Sequence, residues 1–189
     1  MSEIYFISDT HFGHHNIIDF DNRPFDSVEE MNEQMIKKWN STVKNQDTVY
    51  HLGDFSVGLN GKKQLELLTR LNGQIHFISG NHDLKMPRYV KDKFSSFSDG
   101  FKIIRIHDES VFLAHYPVLC YTGHFKDNGY HFYGHVHNSK EEALTQMMRK
   151  LNNELQNGYS KMLNVGCNME WMEYEPKAYD YLKSKMIML

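Results

Sequence analysis

An α/β architecture follows from three features of the chain. Short apolar, β-branched runs alternate with amphipathic helical stretches through the first half. The second half turns to paired strand-like runs around a hairpin signal. With 189 residues, 40% of them apolar, the chain suits one domain, 1–189, around one substantial core. A βαβαβ opening followed by a hairpin-rich remainder requires a mixed sheet or two packed sheets.

The elements are read in order. Ile4 to Ser8 is the first strand. Ser27 to Val43 reads as a helix: Ser27 and Glu30 form a capping box, and Val28, Met31, Met35, Trp39 and Val43 share a face. Thr48 to Leu52 is the next strand. Leu65, Leu68 and Leu71 stripe a short helix that Gly73 closes, and Gln74 to Ser79 is a third strand ending at Gly80. Phe101 to Ile106 and Val111 to Ala114 flank Asp108-Glu109 as a hairpin, and Tyr130 to Tyr133 and Met162 to Val165 are further strands. Between these last two, Ser139 to Asn157 is polar and helical. Its stripe of Leu144, Met147, Met148, Leu151 and Leu155 is expected to pack inward.

The formal net charge of -3 leaves no global cationic field for gripping nucleic acid. Cys120 and Cys167 lie far apart without CxxC spacing, which reads as reduced thiols. The first strand starts almost at Met1, leaving no room for a signal peptide. No apolar stretch approaches the ~20 residues that span a bilayer. The expectation is a cytoplasmic protein without membrane attachment.

Chemistry concentrates in Asp9-Thr10-His11, Gly53-Asp54, Gly80-Asn81-His82-Asp83, His115 and Gly134-His135-Val136-His137. Each group follows an apolar run, so side chains from distant segments meet along one sheet edge. Divalent ions need Asp, His or Asn atoms within ~2.0–2.2 Å when small. Residues two apart at a strand end project to the same side, so Asp9 with His11, and His135 with His137, can each reach one ion. Asp54 is placed to bridge two ions, and Gly53, Gly80 and Gly134 let the backbone turn beneath the ligands. A metallo-β-lactamase would need HxHxDH, but Ser139 and Lys140 follow the pair. A cupin could use His135, His137 and Glu141 but needs an all-β chain.

The ordered set DxH, GD, GNH[DE], a lone His and GHxH, spanning positions 9 to 137, resembles the calcineurin-like metallophosphoesterases. Asn164-Val165-Gly166 looks like the strand that closes the site in small bacterial and phage members. Asp9-Thr10-His11-Phe12-Gly13-His14 with Arg23-Pro24-Phe25 resembles one compact subgroup. The resemblance implies a four-layer α/β/β/α sandwich with two mixed β-sheets and a binuclear metal-dependent phosphoric ester hydrolase. Asp9, His11 and His137 would hold one metal, Asn81, His115 and His135 the other, and Asp54 would bridge them. A hydroxide between the ions would attack phosphorus, and His82 would serve the leaving oxygen, its orientation fixed by Asp83. Nitrogen and oxygen ligands without thiolate favour Mn or Fe, with Zn or Ni as alternatives.

Departures from the family pattern narrow the substrate. Protein Ser/Thr phosphatases of this superfamily carry an arginine soon after GD; here Phe55-Ser56-Val57-Gly58 follows Asp54. Without that clamp or a capping domain, a phosphodiesterase is preferred to a phosphomonoesterase of the same fold. A non-catalytic, metal-binding interaction scaffold comes third. The implied partner is a phosphate-ester substrate, such as a nucleotide or nucleic-acid end. His14 is expected to line its pocket, and Tyr121, in the Pro117 to Gly129 segment, to stack a base. His51, His76 and His107 read as strand residues, and His124 and His131 as exposed loop residues.

Overall fold

Helical crossovers force the first strands to run parallel. The structure, a computed structural model, describes residues 2–155 and 161–188. β1 (Ile4–Ile7), β2 (Thr48–His51) and β3 (Gln74–Ile78) lie side by side in parallel. Helices α1 (Ile17–Asp21) and α2 (Val28–Thr42) intervene between β1 and β2, and α3 (Gly61–Leu68) between β2 and β3. The short α4 (Arg88–Lys91) leads to β4 (Ser96–Ser98), which extends the sheet beyond β3. The second sheet begins with an antiparallel pair, β5 (Phe101–Ile106) and β6 (Glu109–Ala114). β7 (Gly129–Tyr133) and β8 (Met162–Asn164) add to it in parallel, with α5 (Lys140–Leu155) between them. β9 (Lys177–Ala178) returns to pair antiparallel with β1, and α6 (Tyr179–Met188) follows. The strand orders are β4-β3-β2-β1-β9 and β5-β6-β7-β8, so both sheets are mixed.

Apolar side chains weld the two sheets into the inner layers of a four-layer sandwich. Phe6 of β1 meets Phe132 of β7 with ring centroids 4.8 Å apart, and both are fully buried. α2 covers the first sheet through Val28, Met31, Met35, Ile36 and Trp39. The Ser27 hydroxyl accepts the Glu30 N–H at 3.1 Å, and the Glu30 carboxylate accepts the Asp26 N–H at 2.8 Å. α3 buries Gln64, Leu67 and Leu68, with Leu71 just beyond its end, while Leu65 is only half-buried. Among the described residues no helix is long and apolar enough to cross a membrane. Both cysteines are free.

Three expectations change. First, the hairpin turn is His107-Asp108, not Asp108-Glu109: Ile106 pairs with Glu109, and His107 takes the left-handed φ of 53° that so tight a loop needs. Second, His131 is not an exposed loop residue. It sits in β7 between two strands, fully buried, bonded to the Phe112 carbonyl at 3.0 Å and the Val118 N–H at 3.0 Å.

Third, α5 is turned over. Leu144, Met147, Met148, Leu151 and Leu155 are 45% to 76% exposed, while Glu142 and Arg149 are buried. The Glu142 carboxylate accepts from Tyr133 Oη at 3.0 Å and Asn164 Nδ2 at 3.1 Å, and Arg149 donates to the Met162 carbonyl at 3.4 Å. The sheet offers α5 polar anchors here, hydrogen bonds to charged groups worth about 1.5–3 kcal/mol each, and the apolar stripe is left at the surface. Positions 156 and 157 of the expected helix lie outside the described residues.

Burial of His131 makes the fold acid-sensitive. Desolvation lowers its pKa from 6.5 to about 4. Between those values the unfolded chain binds a proton that the folded one refuses, so stability is full above pH 6.5 and falls as pH drops towards 4. The loss amounts to about 3 kcal/mol. Urea unfolding from pH 7 to pH 4 should therefore show a slope that His131→Gln flattens by about one proton. An unchanged slope would assign the sensitivity elsewhere.

Candidate metal centre

The carboxyl ends of β1, β2, β3, β6 and β7 meet at one edge of the sandwich, and each delivers donor side chains on the loop that follows. Asp9 and His11 follow β1, Asp54 follows β2, Asn81 and His82 follow β3, His115 follows β6, and His135 and His137 follow β7. Three sets of donor atoms lie within 4.8 Å of one another: Asp9, His11 and His137; Asp54, His115 and His135; and His11, Asp54 and His82. Asn81 joins the second set through Oδ1, 3.1 Å from His115 Nε2.

These side chains fit divalent cations. The Asp9 and Asp54 carboxylates are buried, and their ion-pair partners among the described residues are imidazoles rather than lysine or arginine. Buried carboxylates need a compensating charge. His11 Nε2 is buried without a hydrogen-bond partner, 3.5 Å from Asp54 Oδ2. Burial, with His137 beside it, pushes the His11 pKa well down, leaving the neutral lone pair a metal requires. Burial alone would raise the Asp54 carboxyl, but His115, the His82 N–H and His11 hold it well below the usual range. His115 moves the other way: burial would lower it, but Asp54 and Asp9 raise it to about 9. No thiolate takes part, because the buried Cys167 thiol donates to the Asp9 carbonyl at 3.0 Å.

Surrounding residues aim the donor side chains. His137 Nδ1 lies 2.8 Å from Asp21, and His115 Nδ1 lies 2.8 Å from the Leu52 carbonyl, which turns both Nε2 atoms towards the carboxylates of the centre, Asp9 at 3.7 Å and Asp54 at 3.5 Å. Buried Arg23 donates to Asp21 at 3.0 Å and to the Asp9 and Thr10 carbonyls at 2.9 Å and 3.0 Å. The His135 N–H donates to Asp9 Oδ2 at 3.0 Å. Sequence reasoning missed Asp21, which lies in no motif, and met Arg23 only as part of Arg-Pro-Phe.

The glycines serve two purposes. Gly53 has a φ of +93°, and a Cβ there would lie 2.5 Å from Gly80 N. Gly80 and Gly134 instead clear space: a Cβ would lie 2.3 Å from Asp54 Oδ1 and 2.2 Å from Asp9 Oδ2, respectively. Five of the donor residues themselves adopt the left-handed region: Asp9, His11, Asp54, His135 and His137 have φ between 49° and 70°.

Other candidates fall differently. The His82 N–H donates to Asp54 Oδ1 at 2.9 Å, while its side chain, 43% exposed, stands at the mouth with Nε2 3.9 Å from Asp54 Oδ2. Asp83 does not orient that ring. Its buried carboxylate accepts the N–H groups of Asp54 at 2.6 Å, Gly80 at 2.9 Å and Phe55 at 3.2 Å, which pins the loops after β2 and β3 together. His14 lies in the cleft, its Nδ1 3.3 Å from that of His11. Tyr121 does not: it is 2% exposed, packed on Phe112 and His131, and its hydroxyl accepts the Lys161 N–H at 3.1 Å. His51 is buried against Thr10, and His76 bonds Ser96. The cleft above the donors measures about 690 Å³ and is lined by His11, His14, Phe20, His82, His137 and Lys140, among others.

Known proteins share this arrangement of chain. The calcineurin-like phosphoesterase superfamily domain matches residues 2–183. An uncharacterised protein of Methanocaldococcus jannaschii is 38% identical over 183 residues, 96% of this chain and 90% of that protein. The gene 66 protein of Mycobacterium phage L5 is 40% identical over 90 residues, 46% of this chain and 42% of its own length. The crystal structure of a protein of unknown function from Aquifex aeolicus is 27% identical with a TM-score of 0.74, covering 98% of this chain and 100% of that one. The chain belongs to the calcineurin-like phosphoesterase superfamily, whose activity, with the clustered aspartates and histidines, makes it a metal-dependent phosphoesterase.

Proposed function

We propose that this protein is a cytoplasmic, single-domain phosphodiesterase working with two divalent ions, Mn or Fe before Zn or Ni. The observation that carries the two-ion reading is Asp54, which shares donor sets with His115 and His135 on one side and with His11 and His82 on the other. Asp9, His11 and His137 would hold one ion, Asn81, His115 and His135 the second, and Asp54 would serve both. When bound, the ions supply Lewis acidity, neutralising phosphoryl oxygens and lowering the pKa of the attacking water.

The remaining steps fall to the chain. His82 reaches into the cleft from the mouth and gives its proton to the leaving oxygen. Asp21 and Arg23 keep His137 and the Asp9 loop in register. The preference for a diester rests on charge: the cleft lining carries Lys140 and no arginine, which suits a monoanionic diester better than a dianionic monoester. Nucleotides and nucleic-acid ends are the substrate class proposed.

The test is hydrolysis of bis-p-nitrophenyl phosphate against p-nitrophenyl phosphate, after metal removal and return of Mn²⁺. Metal-restored activity favouring the diester is expected. Preference for the monoester would make the protein a phosphomonoesterase, and silence on both with metal bound would favour a scaffold.

A further inference from the structure

We propose that Phe20 is a stacking platform for the base of a nucleoside phosphodiester held at the metal centre. This rests on the phosphodiesterase reading and names the part of the substrate beyond the phosphate. Exposed apolar residues are ordinary when scattered; Phe20 is different because of where it stands. It is 71% exposed on α1 and lines the same cleft as His11, His82 and His137. Its recorded ring contact is edge-on, to His14 at 6.3 Å and 75°. The His14 ring lies 6.3 Å from that of His82. Phe20 is thus at most two ring-to-ring steps from the group assigned to the leaving oxygen.

The platform is also anchored. Ile17 is buried beneath α1, and the Arg23 N–H bonds the Ile18 carbonyl at 2.9 Å. The next residue, Asp21, holds His137 at 2.8 Å. The helix that orients a metal ligand therefore also carries the aromatic ring, so the spacing from phosphate to platform is set by the fold. A flat ring beside a phosphate site suits a nucleobase, and such stacking tolerates any base. With Tyr121 buried elsewhere, Phe20 is the aromatic hydrocarbon of the lining. Tyr116 lies across the site, its ring already 4.4 Å from that of His135.

Two diesters with the same leaving group isolate the base: thymidine 5′-(p-nitrophenyl) phosphate and methyl p-nitrophenyl phosphate. The Mn²⁺-loaded protein should prefer the nucleoside ester in kcat/KM. Phe20→Ala should reduce that preference about tenfold, mainly through KM, while Phe20→Trp and Tyr116→Ala keep it. Calorimetric binding of thymidine 5′-monophosphate gives a readout without turnover and should weaken about tenfold in Phe20→Ala. A preference and affinity that Phe20→Ala leaves unchanged, or that follow Tyr116, would overturn the platform. If neither ester is hydrolysed but binding still depends on Phe20, the phosphodiesterase reading falls and the platform stands. If neither hydrolysis nor binding occurs, both fall.

Discussion

Replacing His82 by Ala should lower kcat for a diester with an alkoxide leaving group by about 10²- to 10⁴-fold, with metal content unchanged. The backbone N–H of residue 82 that bonds Asp54 survives the substitution. Only the imidazole at the mouth is lost. The loss should shrink for p-nitrophenolate esters, because that leaving group departs without a proton. His82 also shares a donor set with His11 and Asp54, and a role as ligand predicts another outcome: metal would leave with the side chain. Elemental analysis beside kinetics on the two kinds of leaving group separates the roles. Full turnover of an alkyl diester by the variant would remove His82 from the chemistry.

Asp54→Asn should loosen both ions together and reduce diester hydrolysis by at least about 10²-fold. Asparagine keeps the shape that Gly80 accommodates and an acceptor for the His82 N–H, so the loops remain packed. What disappears is the anionic charge shared between the donor sets. Elemental analysis over a range of added Mn²⁺ should show two sites weakening in parallel. Loss of one ion while the other stays tight would make Asp54 a terminal ligand.

Much of this molecule was legible because its strands end in chemistry. β1, β2, β3, β6 and β7 are apolar runs, and polar residues just beyond their ends are the donors. What escaped was either short or relational. β4 and β9 have three and two residues and α1 has five, too few for a period to register. The stripe on α5 was visible, but its direction depended on Tyr133 and Asn164 reaching Glu142 from two strands. Asp83 looked like a partner for its neighbour's ring, yet it bonds backbone instead, at Gly80 and at Phe55 and Asp54, 28 and 29 residues away. Tyr121 was read as a base-stacking residue and His131 as an exposed one because neither a loop's path nor a strand's neighbours can be read from local pattern.

The left-handed donor residues bear on how this chain would evolve. Asp9, His11, Asp54, His135 and His137 each hold a backbone conformation that costs a non-glycine residue about 1–2 kcal/mol. Glycine adopts it freely, and asparagine more readily than histidine. Selection for heat tolerance without metal would therefore erase the site one ligand at a time. The same selection with metal present would retain the ligands, because an ion that binds only the folded chain raises its stability in proportion to how well they hold it.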